Sequence, residues 1–124
     1  MADAPKRKVL LIEDDGGERA AVAELLSSAG FGVVSSDEGR KALELAAAVR
    51  PQLVILDLVT EGMNGWEFLE RRRGDPALRD VPVIVLSGRR REPLDVDLFL
   101  SKPVAPEQLL RAVRTLISRG RARR

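Results

Sequence analysis

The chain has 124 residues, of which 44% are apolar and 32% charged; this is the composition of a folded chain, in a length that fits one domain. It contains no cysteine and no histidine, which excludes disulfides, thiolate metal sites and the Ser-His-Asp and Cys-His machineries. The net charge is only +2, yet the stretch from Arg111 to Arg124 holds six arginines and no acid, so the rest of the chain is net acidic and is followed by a basic tail.

The polar opening MADAPKRK is followed by VLLI, which stops at three acids; no signal peptide is expected. No apolar run approaches the roughly 20 residues that span a bilayer. A soluble, cytoplasmic protein is expected, with one domain over residues 1–124, a core at about 7–118 and a solvated, frayed tail at 119–124.

Val9 to Ile12 is an unbroken apolar run ending at Glu13, Asp14 and Asp15, the pattern of a strand buried on both faces. Gly16 and Gly17 are expected in a loop. Ala21, Val22, Leu25, Leu26 and Ala29 then recur at helical spacing, and Gly30 stops the helix. Phe31 to Val34 suggests a second strand. Asp37 is expected to cap a helix with Ala42, Leu45, Ala46 and Val49 on its inner face, broken by Pro51. Leu53 to Leu56 is a third apolar run, ending at Asp57. Asn64 is expected to cap a helix carrying Trp66, Leu69 and Arg71 to Arg73, closed by Gly74, Asp75 and Pro76. Val81 to Leu86 is a fourth run, closed by Ser87 and Gly88, and Leu98 to Leu100 a short fifth, followed by Ser101, Lys102 and Pro103. Pro106 suits the first turn of a last helix that buries Leu109, Val113, Leu116 and Ile117. Strand and helix alternate with short connections, which predicts an α/β fold with a parallel sheet covered on both faces.

In such sheets the site lies at the carboxyl ends of the strands. Glu13, Asp14 and Asp15 follow the first strand, Asp57 the third, Ser87 the fourth and Lys102 the fifth. Crowded carboxylates repel unless a cation joins them, and with only oxygen donors present a hard divalent ion is the natural partner. With the ammonium of Lys102 and the hydroxyl of Ser87, the set suits a small, oxygen-rich dianion such as phosphoryl, with Asp57 as nucleophile. Taken singly, each residue has a plainer reading: an Asp after a strand is usually a turn or cap, Ser87 before Gly88 a turn, and an acidic triplet a solvated loop. Their occurrence after successive apolar runs, in the order acids, Asp, Ser, Lys, separates the two.

VLLIEDD (Val9–Asp15), LVILDLVTEGMNGWEFL (Leu53–Leu69), VPVIVLSG (Val81–Gly88) and FLSKP (Phe99–Pro103) together resemble the receiver domain of two-component response regulators, over about residues 7–118. The resemblance implies a doubly wound, five-stranded parallel sheet of the flavodoxin-like receiver type and phosphotransfer from a histidine kinase or phosphotransfer protein. It implies Asp57 as phosphoacceptor, Glu13 and Asp14 as the acidic pair that binds Mg2+, with Asp14 the more direct ligand, and the Val59 carbonyl completing that site. Ser87 is implied as the hydroxyl that follows the phosphoryl group, Lys102 as its counter-ion, Phe99 as the aromatic switch and Lys102–Pro103 as a cis peptide. A non-enzymatic signalling module is implied, which promotes only its own phosphotransfer and dephosphorylation and signals by conformational change to a downstream protein.

The sequence departs from the family pattern in places. Gly16 and Gly17 stand in a turn where proline is common, which loosens the start of the first helix. Glu61 stands where proline is common and adds negative charge near the site. Ser87 and Lys102 are fifteen positions apart, several fewer than usual for the family, and the intervening GRRREPLDVDLFLS lacks an apolar helical period. The family's fourth helix is therefore expected to be shortened or absent, with Arg89, Arg90 and Arg91 in its place, either as a partner surface or as a solvated loop. Val59 and Arg89 lie where the family tunes the lifetime of the phosphoryl group; an apolar Val59 and a covering Arg89 predict slow self-dephosphorylation.

Three other functions fit the residues less well. A pseudo-receiver would keep the fold and bind a protein partner without phosphorylation; Glu61 and the short fourth segment favour it, and the retained Glu13, Asp14, Asp57, Ser87 and Lys102 oppose it. A phosphatase of the haloacid dehalogenase type needs a second Asp as general acid, which Asp57, Leu58, Val59, Thr60 lacks. Nucleic-acid binding would rest on the basic tail alone, with no recognition helix.

Overall fold

The computed structural model describes residues 7–57, 65–88 and 96–122. The elements run β1 (Lys8–Ile12), α1 (Gly16–Ser28), β2 (Gly32–Ser36), α2 (Gly39–Val49), β3 (Leu53–Asp57), α3 (Gly65–Arg73), β4 (Val83–Ser87), β5 (Leu98–Ser101) and α4 (Pro106–Ala122). All five strands form one sheet in the order β2-β1-β3-β4-β5, and every pair is parallel. This is the α/β fold with a parallel sheet that the alternation predicts, in the doubly wound five-stranded form that the resemblance implies.

The continuous apolar runs follow from burial on both faces. Side chains alternate along a strand, so each run divides between two cores. Val9 and Leu11 of β1, Leu53 and Ile55 of β3, Ile84 and Leu86 of β4 and Leu100 of β5 pack with Leu26 of α1 and with Leu109, Val113, Leu116 and Ile117 of α4. Leu10, Ile12, Val54, Leu56, Val83 and Val85 turn the other way, onto Ala42 and Ala46 of α2, Phe68 and Leu69 of α3, and Leu78. α1 and α4 thus cover one face, α2 and α3 the other.

Several local expectations are corrected. Gly16 and Gly17 are not in a loop but open α1, because the Asp15 carboxylate accepts the Glu18 N–H at 2.7 Å and caps the helix. That bond sets the helix start despite two poor helix formers. Asp37 does not cap α2. The Ser36 hydroxyl donates to the Glu38 carbonyl at 2.8 Å and accepts the Glu38 N–H at 3.3 Å, which moves the helix start one residue on and leaves Asp37 paired with Lys41 at the surface. β2 begins at Gly32 rather than Phe31, whose N–H instead closes the end of α1 on the Leu26 carbonyl at 3.1 Å. β4 begins at Val83, since Pro82 has no N–H for the ladder.

Gly30 adopts φ +98° just beyond α1, a conformation that suits glycine. α2 ends before Arg50 and Pro51, with Arg50 left-handed at φ 51°. α4 continues through the expected frayed tail as far as Ala122. The Asn64 cap falls at residue 64, and the shortened or absent fourth helix falls largely on residues 89–95; both lie outside the described residues. β4 and β5 are separated by residues 88–97, a short stretch for a parallel crossover. Among the described residues, no helix is long and apolar enough to cross a membrane.

Candidate functional site

Because the strands are parallel, their carboxyl ends share one edge of the sheet. Asp57 is the last residue of β3 and is 2% exposed. Glu13 directly follows β1 and is 4% exposed. Its N–H donates to the Ser36 carbonyl at 3.0 Å, which extends the β1–β2 pairing by one residue. Its carboxylate accepts the Asp15 N–H at 3.0 Å, and Arg19 Nη1 donates to its carbonyl at 2.9 Å. Backbone on both sides therefore holds Glu13 at the strand end.

Lys102 follows β5. Its N–H donates to the Ser87 carbonyl at 2.8 Å, carrying the β4–β5 ladder past the strand and fixing the base of the side chain. The ammonium Nζ then lies 2.5 Å from Asp57 Oδ2, 3.2 Å from Glu18 Oε2 and 3.5 Å from Glu13 Oε2. One oxygen from each of Glu13, Glu18 and Asp57 lies within 4.8 Å of the others. Ser87, the last residue of β4, is 2% exposed and pairs with Ser101 in register.

The electrostatics follow from burial. Burial first, and then a side-chain hydrogen bond to Asp57, raise the Glu13 pKa from 4.5 to about 8; a proton shared between two buried carboxyls costs less than two bare charges. Burial acts against the Lys102 ammonium, but its hydrogen bonds to Asp57 and Glu18 outweigh this and raise its pKa. Among the described residues, the resting site is thus one cation facing three carboxyl groups.

The fold brings Glu13, Asp57 and Lys102 into direct contact and sets Ser87 on the adjoining strand end. Asp14 follows Glu13 and is exposed. Phe99 lies half-buried on β5, beside Val85 in register and packed against the α2–α3 core. The Lys102–Pro103 peptide is cis. Val59, Glu61 and Arg89 to Arg91 lie outside the described residues, and with them the expectation about phosphoryl lifetime.

Sequence reasoning passed over Glu18 and Arg19. The signal for Glu18 was present: Asp15-Gly16-Gly17-Glu18 has the spacing of a capping box, which sets Glu18 in the first turn of a helix that starts at this edge. Arg19 carries no comparable signal, since its contact is to a main-chain oxygen.

The family model for the response regulator receiver domain matches residues 9–114. The response regulator MprA of Mycolicibacterium vanbaalenii is 36% identical over 121 residues, covering 90% of this chain and 51% of that protein. The probable transcriptional regulatory protein SilR of Salmonella typhimurium is 35% identical, covering 91% of this chain and 52% of that one. The chain spans about half the length of these curated relatives. The crystal structure of the chemotaxis response regulator CheY4 of Vibrio cholerae superposes with a TM-score of 0.82 at 28% identity, covering 90% of this chain and 99% of that one.

Proposed function

The chain belongs to the family of response regulator receiver domains, and on that footing we propose that it accepts a phosphoryl group on Asp57 from a histidine kinase or phosphotransfer protein and passes the change to a protein partner. The observation that carries this reading is a carboxylate 2% exposed at a strand end with an ammonium 2.5 Å away. An Asp57 oxygen attacks phosphorus; the P–N bond of the donor's phosphoimidazole breaks, a P–O bond forms, and the imidazole leaves with its electron pair and takes up a proton. Lys102 offsets the charge that develops on the transferred group, and this positioning with charge neutralisation is the main catalytic resource in phosphoryl transfer. Ser87, buried on the adjoining strand, offers a hydroxyl to the new dianion. Phe99, half-buried beside Val85, reports the resulting shift to the outer surface of β5. The domain acts as a cytoplasmic signalling module rather than a turnover enzyme.

A hard divalent cation fits the donor set. Among the described residues, three carboxyl oxygens within 4.8 Å, two of them on buried residues, exceed the one ammonium that faces them, and these donors are all oxygen. Glu13 and Asp57 of this group would hold Mg2+, joined, as the family resemblance implies, by Asp14 and the Val59 carbonyl; when bound it would supply positive charge to the phosphoryl oxygens.

Incubation with acetyl phosphate and Mg2+, followed by intact mass, tests the reading. A single phosphoryl adduct is expected, and it disappears in Asp57→Asn. No adduct under these conditions would overturn the proposal in favour of a binding module that signals without phosphate.

A further inference from the structure

Lys102 faces three carboxylates, but they are not alike. Glu13 and Asp57 are 4% and 2% exposed and are fixed by strand backbone. Glu18 stands in the first turn of α1 with its side chain 53% exposed. Its backbone is fixed by the Asp15 cap at 2.7 Å, and from there the side chain reaches Lys102, 84 positions away in sequence, at 3.2 Å. An ammonium has three N–H donors and no more. A phosphoryl group on Asp57 brings up to two negative charges and three strong acceptor oxygens, which need a share of those donors. Of the three carboxylates, only Glu18 has solvent to retreat into.

We propose that Glu18 is a positioning residue that competes with the phosphoryl group for Lys102: it holds the ammonium in the resting site and must release it for the site to fill. The proposal rests on the reading of Asp57 as phosphoacceptor and deepens it. Glu18 acts through Lys102 and, by its charge, against an approaching dianion, since one of its oxygens lies within 4.8 Å of an Asp57 oxygen. It therefore sets how fast the site fills and how well the phosphorylated state competes with the resting one.

The test compares the full chain with Glu18→Gln and Glu18→Lys. Phosphorylation by acetyl phosphate with saturating Mg2+ is followed by intact mass at low and high ionic strength, and Mg2+ affinity is measured by calorimetry without the donor. The rate is expected to rise in the order Glu, Gln, Lys, by about tenfold for Gln, the effect of removing one close like charge. The gain should shrink at high salt, because an exposed charge is screened. A purely structural role of this exposed side chain would give neither the charge order nor the salt dependence. Equal or slower rates in both variants, with wild type phosphorylated on Asp57, would overturn the proposal alone. So would slower filling in Glu18→Gln together with a loss of Mg2+ affinity, which would make Glu18 a metal ligand. Absence of adduct in wild type and both variants would overturn the phosphoacceptor reading and this inference together.

Discussion

Replacing Lys102 with Met keeps the stem and removes the charge. The lost Nζ lies 2.5 Å from Asp57, 3.2 Å from Glu18 and 3.5 Å from Glu13. Asp57 and Glu13 are 2% and 4% exposed, so water has little access to replace it. Glu13, raised to about 8 and higher without Lys102, can hold its proton, so the charge left stranded is that of Asp57. Leaving one member of a buried pair without its partner costs about 3–5 kcal/mol. Lys102→Met without Mg2+ is therefore expected to lose about 3–5 kcal/mol at pH 8.

The loss must also depend on pH. Lys102 is one of the groups that pull the Glu13 pKa down, so its removal raises further a carboxyl that is already raised. A carboxyl with a higher pKa in the folded state binds its proton more tightly when folded. Its stabilisation is present below the unfolded pKa and is lost as pH rises through the folded one. Between pH 5 and 8 Glu13 holds its proton with or without Lys102, so the cost of Lys102→Met should change little there and should grow as pH rises above about 8, where Glu13 ionises in the unsubstituted chain and stays protonated in the variant. Urea unfolding followed by far-UV circular dichroism, in chelator, at several pH values between 6 and 10, measures both. A loss below about 1 kcal/mol at pH 8, the size of an exposed ion pair, or a loss that is the same at every pH, would refute the reasoning. The double variant Lys102→Met, Asp57→Asn should recover much of the stability, since it removes the stranded charge with its partner.

In the unsubstituted chain the Glu13 pKa is raised from 4.5 to about 8, first by burial and then by Asp57, so stability without Mg2+ should fall as pH rises across that window; thermal unfolding in chelator should show the fall, Glu13→Gln should flatten it, and a flat wild-type profile would count against it. Asp15→Ala removes the carboxylate that accepts the Glu18 N–H and should cost about 1 kcal/mol in urea unfolding, the usual worth of a helix cap; no change would mean that α1 starts without it. Ile55→Ala at a fully buried position of β3 should cost about 2–5 kcal/mol by the same measurement, and a cost below about 1 kcal/mol would mean that the α1–α4 core collapses around the lost side chain.

The sequence by itself determined the strand and helix alternation, because a strand buried on both faces must be apolar throughout and a helix covering a sheet must repeat its apolar face. It also determined which residues follow the strands, and with parallel pairing that places Glu13, Asp57, Ser87 and Lys102 on one edge. Tertiary structure decided what periodicity does not encode. The sequence offers Asp37 as a helix cap and Asp15 only as one of three acids after a strand, yet Asp15 caps α1 and Asp37 does not cap α2, because Ser36 takes over the turn before α2. Glu13 looks like one member of a solvated acidic triplet, yet it is buried and carries a pKa near 8; burial depends on Asp57 and Lys102 arriving from β3 and β5. Glu18 reaches the site only because α1 begins beside the end of β1 and Lys102 extends towards it across 84 positions of sequence. Local patterns fix which elements form and which way their faces turn; contacts between charged groups far apart in the chain exist only after the sheet has brought the strand ends together.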